Sequence, residues 1–400
     1  MKVLFIALSE NIYLNTGNSV HIRELARELG KKCSVHLLAG PGVRNNSSLK
    51  VDNVLVEHIY KESGVCTYIP KFPYRLYYSI KKTLKFKPDV IYERNYNCYI
   101  GAITSKICRV PLIVEINGLI DEEIELQGSA KNNSDIKRSF RNWLRKESFK
   151  QASCLVTVTD GLKREVGSRY SLPMNKIRVI SNGANTELFK PISSFEARKE
   201  LGIEIETKYI CFVGNLAPWQ GLDCLVESAP HVLKKVPSVK FIIVGDGICR
   251  RPLEERTKEL GIDGSFMFIG DVPFREVPFY INAADICVAP FTRLRNEKIG
   301  LSALKVYEYL ACGKVVVGSN ISGVGDLLEK YEMGIVFPPD DHIRLTDSIL
   351  LLLTNEKLRI EMGETGRSYV CKNNSWEVVA DKIIHICEHE RKNNTTTEFQ

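Results

Sequence analysis

The stretch Arg293–Asn320, RLRNEKIGLSALKVYEYLACGKVVVGSN, reads as a polar loop, a short helix, a glycine stop and a buried strand. Leu304, Tyr307, Leu310 and Ala311 recur at three- and four-residue spacing, which predicts a helix with one apolar face packed on a sheet. Lys305 and Glu308 fall on another face, free to look into a cleft; on a lone helix such a pair is a solvated ion pair worth roughly 0.2–0.5 kcal/mol. Gly313 supplies the left-handed residue that ends such helices. The run KVVVGS that follows, like ICVAPF (Ile286–Phe291) before the loop, is apolar throughout, as in strands buried on both faces. Strand, loop, helix and strand make a βαβ unit. Its loop and helix N-terminus therefore lie at the C-terminal edge of a parallel sheet, where open α/β folds bind ligands. Free N–H groups and the positive dipole end suit an anion there, such as a nucleotide diphosphate.

The same grammar runs through the whole chain. Its 400 residues are enough for two domains, and 44% hydrophobic with 26% charged residues is ordinary for a globular protein. The net charge of +7 is modest; it suits anionic substrates or an anionic membrane surface, and no motif for nucleic acid accompanies it. None of the 12 cysteines forms a C-x-x-C pair or a zinc spacing, and Cys154, Cys211 and Cys287 lie inside apolar runs as small buried hydrophobes. The N-terminal MKVLFIALSEN reads as a first strand rather than a signal peptide. No run approaches the roughly 20 apolar residues of a spanning helix. These features predict a cytoplasmic protein, with peripheral contact on the inner face of the plasma membrane left open.

Lys2–Leu8 leads through a loop containing Thr16-Gly17-Asn18-Ser19 into a helix that Asn18 or Ser19 can cap and Gly30 can end. Gly17 permits close approach of backbone to a ligand. His21, in the first turn and off the apolar stripe, reads as a surface residue or as one facing a cleft. Cys33–Gly40 and the segment VDNVLVEHIY are the next strands. The run from Tyr68 to Lys87 mixes aromatic and basic residues; Leu76, Tyr77, Ile80 and Leu84 give a core stripe, and the basic remainder is either solvated or meets anionic lipid. Strands DVIYERN and PLIVEING place Arg94 and Asn117 at their C-terminal ends, with Glu115 on the same strand face as Asn117 and in need of a partner if buried. Asp121–Asp135 is polar and reads as a loop. Asp160 reads as a helix cap. In the second half, YICFVGNLAPWQG, FIIVGDG and FMFIGDV are strands with turns at their C-terminal ends.

LSALKVYEYLACGK resembles the donor-binding segment of the retaining glycosyltransferases of family 4, and Asn182-Gly183 followed by Phe189-Lys190-Pro191 resembles their interdomain junction. The resemblance implies an α/β chain of GT-B fold: two facing Rossmann-like domains with parallel sheets and an interdomain cleft. It divides the chain into an acceptor-binding domain 1–188, a nucleotide-sugar donor domain 189–372, a helix 373–390 crossing back to the first domain and a disordered tail 391–400. It implies donor contacts from Gly17, Gly214, Asn215, Gln220, Gly245, Asp246, Gly247, Val272, Lys298, Leu301, Lys305 and Glu308, the last on the donor ribose. Asn18, His21, Arg94, Glu115 and Asn117 fall on the acceptor side, and Lys305, Glu308 and Asn117 are the expected catalytic residues. No metal and no cofactor is implied beyond the nucleotide-diphosphate sugar as co-substrate. Nor is a protein base required, because in this family the leaving phosphate helps deprotonate the acceptor.

Two departures stand out. Many members neutralise the diphosphate with a G-R-x-x-x-x-K-G loop, where this chain has Gly214-Asn215-Leu216-Ala217-Pro218-Trp219-Gln220-Gly221 with no cation. Many carry a Glu eight positions before the second, where this chain has Gly300, with Glu297 displaced by three. Breaking a sugar–phosphate bond builds negative charge that must be met. Lys305 first, Lys298 second, then Arg293 and Arg295, with main-chain N–H groups near Gly214, are the candidates. The expected reaction is transfer of a hexose-type sugar to a glycan, lipid-linked or small-molecule acceptor, in cell-surface polysaccharide or glycoconjugate synthesis. The alternatives are a nucleotide-sugar epimerase and a catalytically degenerate protein of the same fold.

Overall fold

The computed structural model describes residues 1–14, 16–40, 54–58, 71–94, 98–119, 135–294 and 296–397. The chain forms two compact units, Met1–Ser181 with Trp376–Gln400, and Asn182–Ser375. The first holds strands β1 (Lys2–Ala7), β2 (Ser34–Ala39), β3 (Val54–His58), β4 (Val90–Arg94), β5 (Leu112–Ile116), β6 (Cys154–Thr157) and β7 (Ile177–Val179). The second holds β8 (Tyr209–Val213), β9 (Lys240–Val244), β10 (Phe266–Gly270), β11 (Ile286–Ala289), β12 (Val316–Ser319) and β13 (Gly334–Phe337). Among the described residues the sheets run β3-β2-β1-β4-β5-β6-β7 and β10-β9-β8-β11-β12-β13. Every pairing is parallel. Each unit is thus a doubly wound Rossmann-like sheet whose order reverses once, between β1 and β4 and between β8 and β11, opening a crevice at the strand C-termini.

Helices cover both faces of each sheet, which explains the unbroken apolar strands: β8 and β11 are buried at every residue. In the second unit Asp285 staples the sheet from below, accepting from Arg198 at 2.8 Å, Lys208 at 3.0 Å and the Tyr209 N–H at 2.9 Å. The Leu304–Ala311 helix buries Tyr307, Leu310 and Ala311 as its spacing predicts, but Leu304 is only half-buried and Lys305, Val306, Glu308 and Tyr309 are buried as well, so the helix is covered all round; Gly313 takes φ +70 behind it.

Several local expectations are corrected. The first helix spans Gly17–Lys32: Thr16 caps it by accepting from the Ser19 N–H, and it runs past Gly30 to a cap at Cys33. Thr159, one residue earlier than Asp160, caps the Asp160–Tyr170 helix. The last helix extends from Trp376 to Thr397, into the segment expected as a tail, and belongs to the first unit, where Lys32 meets Asp381 at 2.6 Å. Most of the Asp121–Asp135 loop, and Arg295, lie outside the described residues.

The largest correction is the Lys71–Phe86 helix. Of the expected stripe, Leu76 and Ile80 are half-buried, but Tyr77 and Leu84 are each 62% exposed, and Ser79 and Thr83 are buried in their stead. The reason is polar pairing: Thr104 of the neighbouring helix donates to Ser79 Oγ at 3.1 Å, and within the helix Thr83 donates to the Ser79 carbonyl at 2.8 Å. A hydrogen-bonded hydroxyl can be buried cheaply, so periodicity alone misplaced the covered face. Among the described residues no helix is long and apolar enough to cross a membrane.

Candidate active site

In the second unit, β8 hands over to the loop Gly214–Ala217 beside the point where strand order reverses. Lys305, in the first turn of its helix, sends its ammonium back across that loop. Nζ stands 3.7 Å from the centroid of the Phe212 ring on β8 and 5.6 Å from that of Phe291, just past β11. It donates to Gln220 Oε1 at 2.8 Å. Gly214 has φ +141, which favours glycine, and a Cβ there would sit 2.5 Å from Nζ and push the lysine aside. Lys305 is only 9% exposed and makes no ion pair among the described residues. Burial brings its ammonium from the usual 10.5 to about 7, against the opposing pull of Glu308 one turn on. Glu308 is itself buried.

The backbone near Gly214 is not the open cradle the sequence suggested. The Gly214 N–H goes to the Val244 carbonyl at 2.9 Å, Leu216 to Asp246 at 2.8 Å and Ala217 to Asn215 at 3.1 Å. These bonds stack the loop on the Gly245-Asp246-Gly247 turn after β9. Asp246 in turn accepts from Arg250 Nη1 at 3.2 Å, and Arg250 Nη2 reaches the Phe268 carbonyl at 3.2 Å, near Gly270 and the half-buried Val272. Arg250 was missed from sequence; its spacing of four from Asp246 was the available signal.

Lys298 and Arg293 lie on the exposed surface, Arg293 with Glu297 at 3.4 Å. Gly300 shows why a glutamate is absent there: φ is +68 and a Cβ would stand 2.8 Å from the Ser322 carbonyl. Leu301, half-buried, donates its N–H to that same carbonyl at 2.8 Å. Asn182 donates its N–H to Ser302 Oγ at 2.8 Å and its amide to the Ser302 carbonyl at 2.5 Å, fixing the entry to the Leu304–Ala311 helix.

In the first unit the reversal point holds a different arrangement. Arg94 ends β4 beside Glu115 of β5. Glu115 Oε2 accepts from the Tyr92 hydroxyl at 2.6 Å; Oε1 lies 2.8 Å from His21 Nε2 and 3.6 Å from Arg94 Nε. Arg94 Nη2 continues to Asn18 Oδ1 at 3.1 Å. Burial alone would raise the Glu115 carboxyl; His21, Arg94 and Tyr92 together outweigh it and hold it at about 2. His21 is therefore no surface residue: it is buried, with its ring edge-on to Trp376 at 4.7 Å. Glu115 is buried, and its carboxylate holds Arg94 and His21 in place. Asn117, just past β5, has a buried Oδ1 with no hydrogen-bond partner among the described residues. Gly17 is exposed at the start of its helix. Tyr92 went unnoticed in the sequence because it sits inside an apolar strand run; Tyr13, whose hydroxyl meets His58 Nε2 at 2.8 Å, was also not singled out.

Residues 16–188 match the model described as Glycosyltransferase Family 4, and residues 193–369 the model described as Glycosyl transferases group 1. An uncharacterized glycosyltransferase of Methanocaldococcus jannaschii is 27% identical over 305 residues, 75% of this chain and 75% of that one. The D-inositol 3-phosphate glycosyltransferase of Corynebacterium glutamicum is 26% identical over 392 residues, 92% of this chain and 91% of that one. Among solved structures, Anabaena HepE in complex with UDP matches with a TM-score of 0.77 at 18% identity, covering 97% of this chain and 100% of that one. Sucrose-phosphate synthase from Thermosynechococcus elongatus matches with a TM-score of 0.75 at 19% identity, covering 97% and 98%. With two Rossmann-like sheets of the same order and family matches spanning both, the chain belongs to the family 4 glycosyltransferases of GT-B fold.

Proposed function

We propose that this glycosyltransferase is a retaining, metal-independent enzyme. It moves a sugar from a nucleotide-diphosphate sugar held by the second unit to a glycan, lipid-linked or small-molecule acceptor, in cell-surface polysaccharide or glycoconjugate synthesis. The observation that carries the reading is the Lys305 ammonium, buried at Gly214 where the β8–β11 reversal opens, without an ion-pair partner among the described residues. As the bond from the anomeric carbon to the phosphate oxygen breaks, that oxygen gains negative charge. Lys305 meets it, and the same phosphate takes the acceptor proton. Glu308 contacts the ribose, and Asn117 offers its unpartnered Oδ1 to a hydroxyl of the transferred sugar or of the acceptor. HepE, the structural neighbour solved with UDP, supports a nucleotide donor.

A lipid-linked acceptor also fits the Lys71–Phe86 helix. Tyr77, Leu84 and Phe72 are exposed beside Lys81 and Lys85, and no acidic residue occurs from Lys71 to Pro88, so the face complements an anionic bilayer.

The test is a thermal-shift panel of nucleoside diphosphates and their sugars on wild type and Glu308→Ala. A ligand that binds only the folded protein raises the melting point in proportion to its saturation. Stabilisation by one nucleotide series, lost in the variant, supports the reading; no shift with any nucleotide sinks it. The anomeric configuration of the product, read by NMR, then tests retention.

A further inference from the structure

Lysines buried in proteins are ordinarily held by a carboxylate, which cancels their charge. Lys305 is held by an amide. Because an ammonium only donates, the carbonyl end of Gln220 faces Nζ and its NH₂ end turns away. The amide fixes the position of Nζ and, being neutral, adds no counter-charge.

Gln220 is itself well anchored. Its N–H donates to the Ala217 carbonyl at 2.9 Å. On one side the Trp219 carbonyl accepts from Asn296 Nδ2 at 3.2 Å and from the Thr292 N–H at 3.3 Å; Asn296 is fully buried and also donates to the Thr292 carbonyl at 3.0 Å. On the other side Gly221 takes φ +70 against the Pro290 carbonyl, where a Cβ would clash at 1.7 Å. The segment carrying Gln220 is thereby pinned to the chain leaving β11, while Lys305 is pinned from the opposite side by the Phe212 ring.

We propose that Gln220 is a positioning residue selected to be neutral: it holds the Lys305 ammonium at Gly214 without neutralising it, so that a fixed net positive charge awaits the departing diphosphate. The inference rests on Lys305 being the counter-charge of that group. It assigns Gln220 a role opposite to that of Glu115 in the first unit, which holds its cations by cancelling them.

Three variants separate the inference from the reading beneath it: Gln220→Glu, Gln220→Met and Lys305→Met. Each is measured for its melting point, for affinity toward UDP, GDP, ADP and TDP, and for release of nucleoside diphosphate from the matching sugar nucleotide into water. Gln220→Glu keeps the shape and tightens the hold on Nζ while cancelling its charge. It is expected to melt at or above the wild-type temperature and to bind the preferred diphosphate at least tenfold more weakly. Gln220→Met releases the ammonium without cancelling it; affinity is expected to stay within about twofold while kcat for release falls three- to tenfold. Wild-type affinity in Gln220→Glu, or wild-type kcat in Gln220→Met, overturns the role of Gln220. If Lys305→Met itself binds the diphosphate as wild type does, the underlying assignment of Lys305 falls instead. A purely structural Gln220 would lower the melting point in both of its variants and leave diphosphate affinity untouched in both.

Discussion

The two units place ionisable groups at equivalent points of the same sheet order and treat them in opposite ways. At the β1–β4 reversal the described charges answer one another: Glu115 is met by Tyr92, His21 and Arg94, and Arg94 is passed on to Asn18. At the β8–β11 reversal the Lys305 ammonium is met by an aromatic face and an amide, neither of which carries a charge. The first arrangement pairs its charges within the protein, which ties β4 and β5 to the first helix. The second buries an ammonium that makes no ion pair among the described residues and feels only the pull of Glu308 one turn on, a state that costs stability, pushes the ammonium toward losing its proton and is relieved by an incoming anion. One fold thus shows how the same position can be committed to structure or held ready for chemistry.

The largest effect is expected where the closed network is opened. Glu115→Leu leaves Arg94 and His21 without their counter-charge and should destabilise the first unit by roughly 3–5 kcal/mol, read by urea unfolding. Lys305→Met should do the reverse: a loss of roughly 10²–10³-fold in kcat, with unfolding free energy at or above that of wild type near pH 7, because the buried ammonium is gone. If Lys305→Met unfolds the protein as Glu115→Leu does, the contrast is gone. Tyr92→Phe removes a single hydrogen bond to a charged group and should cost about 1.5–3 kcal/mol.

The pH dependence sharpens the comparison, because the two shifts act on stability with opposite sign. Glu115 titrates near 2 when folded and near its usual 4.5 when unfolded, so its contribution is present above 4.5 and is lost as pH falls toward 2. Lys305 titrates near 7 when folded and 10.5 when unfolded; the unfolded chain binds the extra proton between those values, so stability rises with pH across that window. Other groups titrate there too, and the quantity to measure is the difference between wild type and Lys305→Met, whose melting points should converge as pH rises from 7 to 10.5. The smallest effect belongs to the Lys71–Phe86 helix: with both side chains exposed, Tyr77→Ser with Leu84→Ser should change stability by no more than about 0.5 kcal/mol while weakening sedimentation with anionic vesicles.

The strands and the alternation of elements were legible in the sequence because burial on both faces writes itself as an unbroken apolar run, as in β8 and β11. Glu115's need for a partner was legible for the same reason, since a carboxylate amid such residues must be paired. The partners were not. His21 looked like a surface residue because its burial depends on Trp376, some 350 positions later in the chain. The rotated covered face of the Lys71–Phe86 helix escaped because a hydroxyl such as Ser79 becomes a core residue only when a partner, here Thr104, is brought to it. Lys305 was singled out by what the Gly214–Gly221 loop lacks; its amide partner and its place against Phe212 came only with the tertiary structure.

The central claim is that Lys305 is the counter-charge for the departing diphosphate. The most direct measurement is the ratio of affinities for the preferred nucleoside diphosphate and for its nucleoside, by isothermal titration calorimetry, in wild type and Lys305→Met. The nucleoside reports the base and ribose contacts alone, so the ratio isolates the phosphates. The account predicts a ratio at least tenfold smaller in Lys305→Met, with nucleoside affinity unchanged. An unchanged ratio would contradict it.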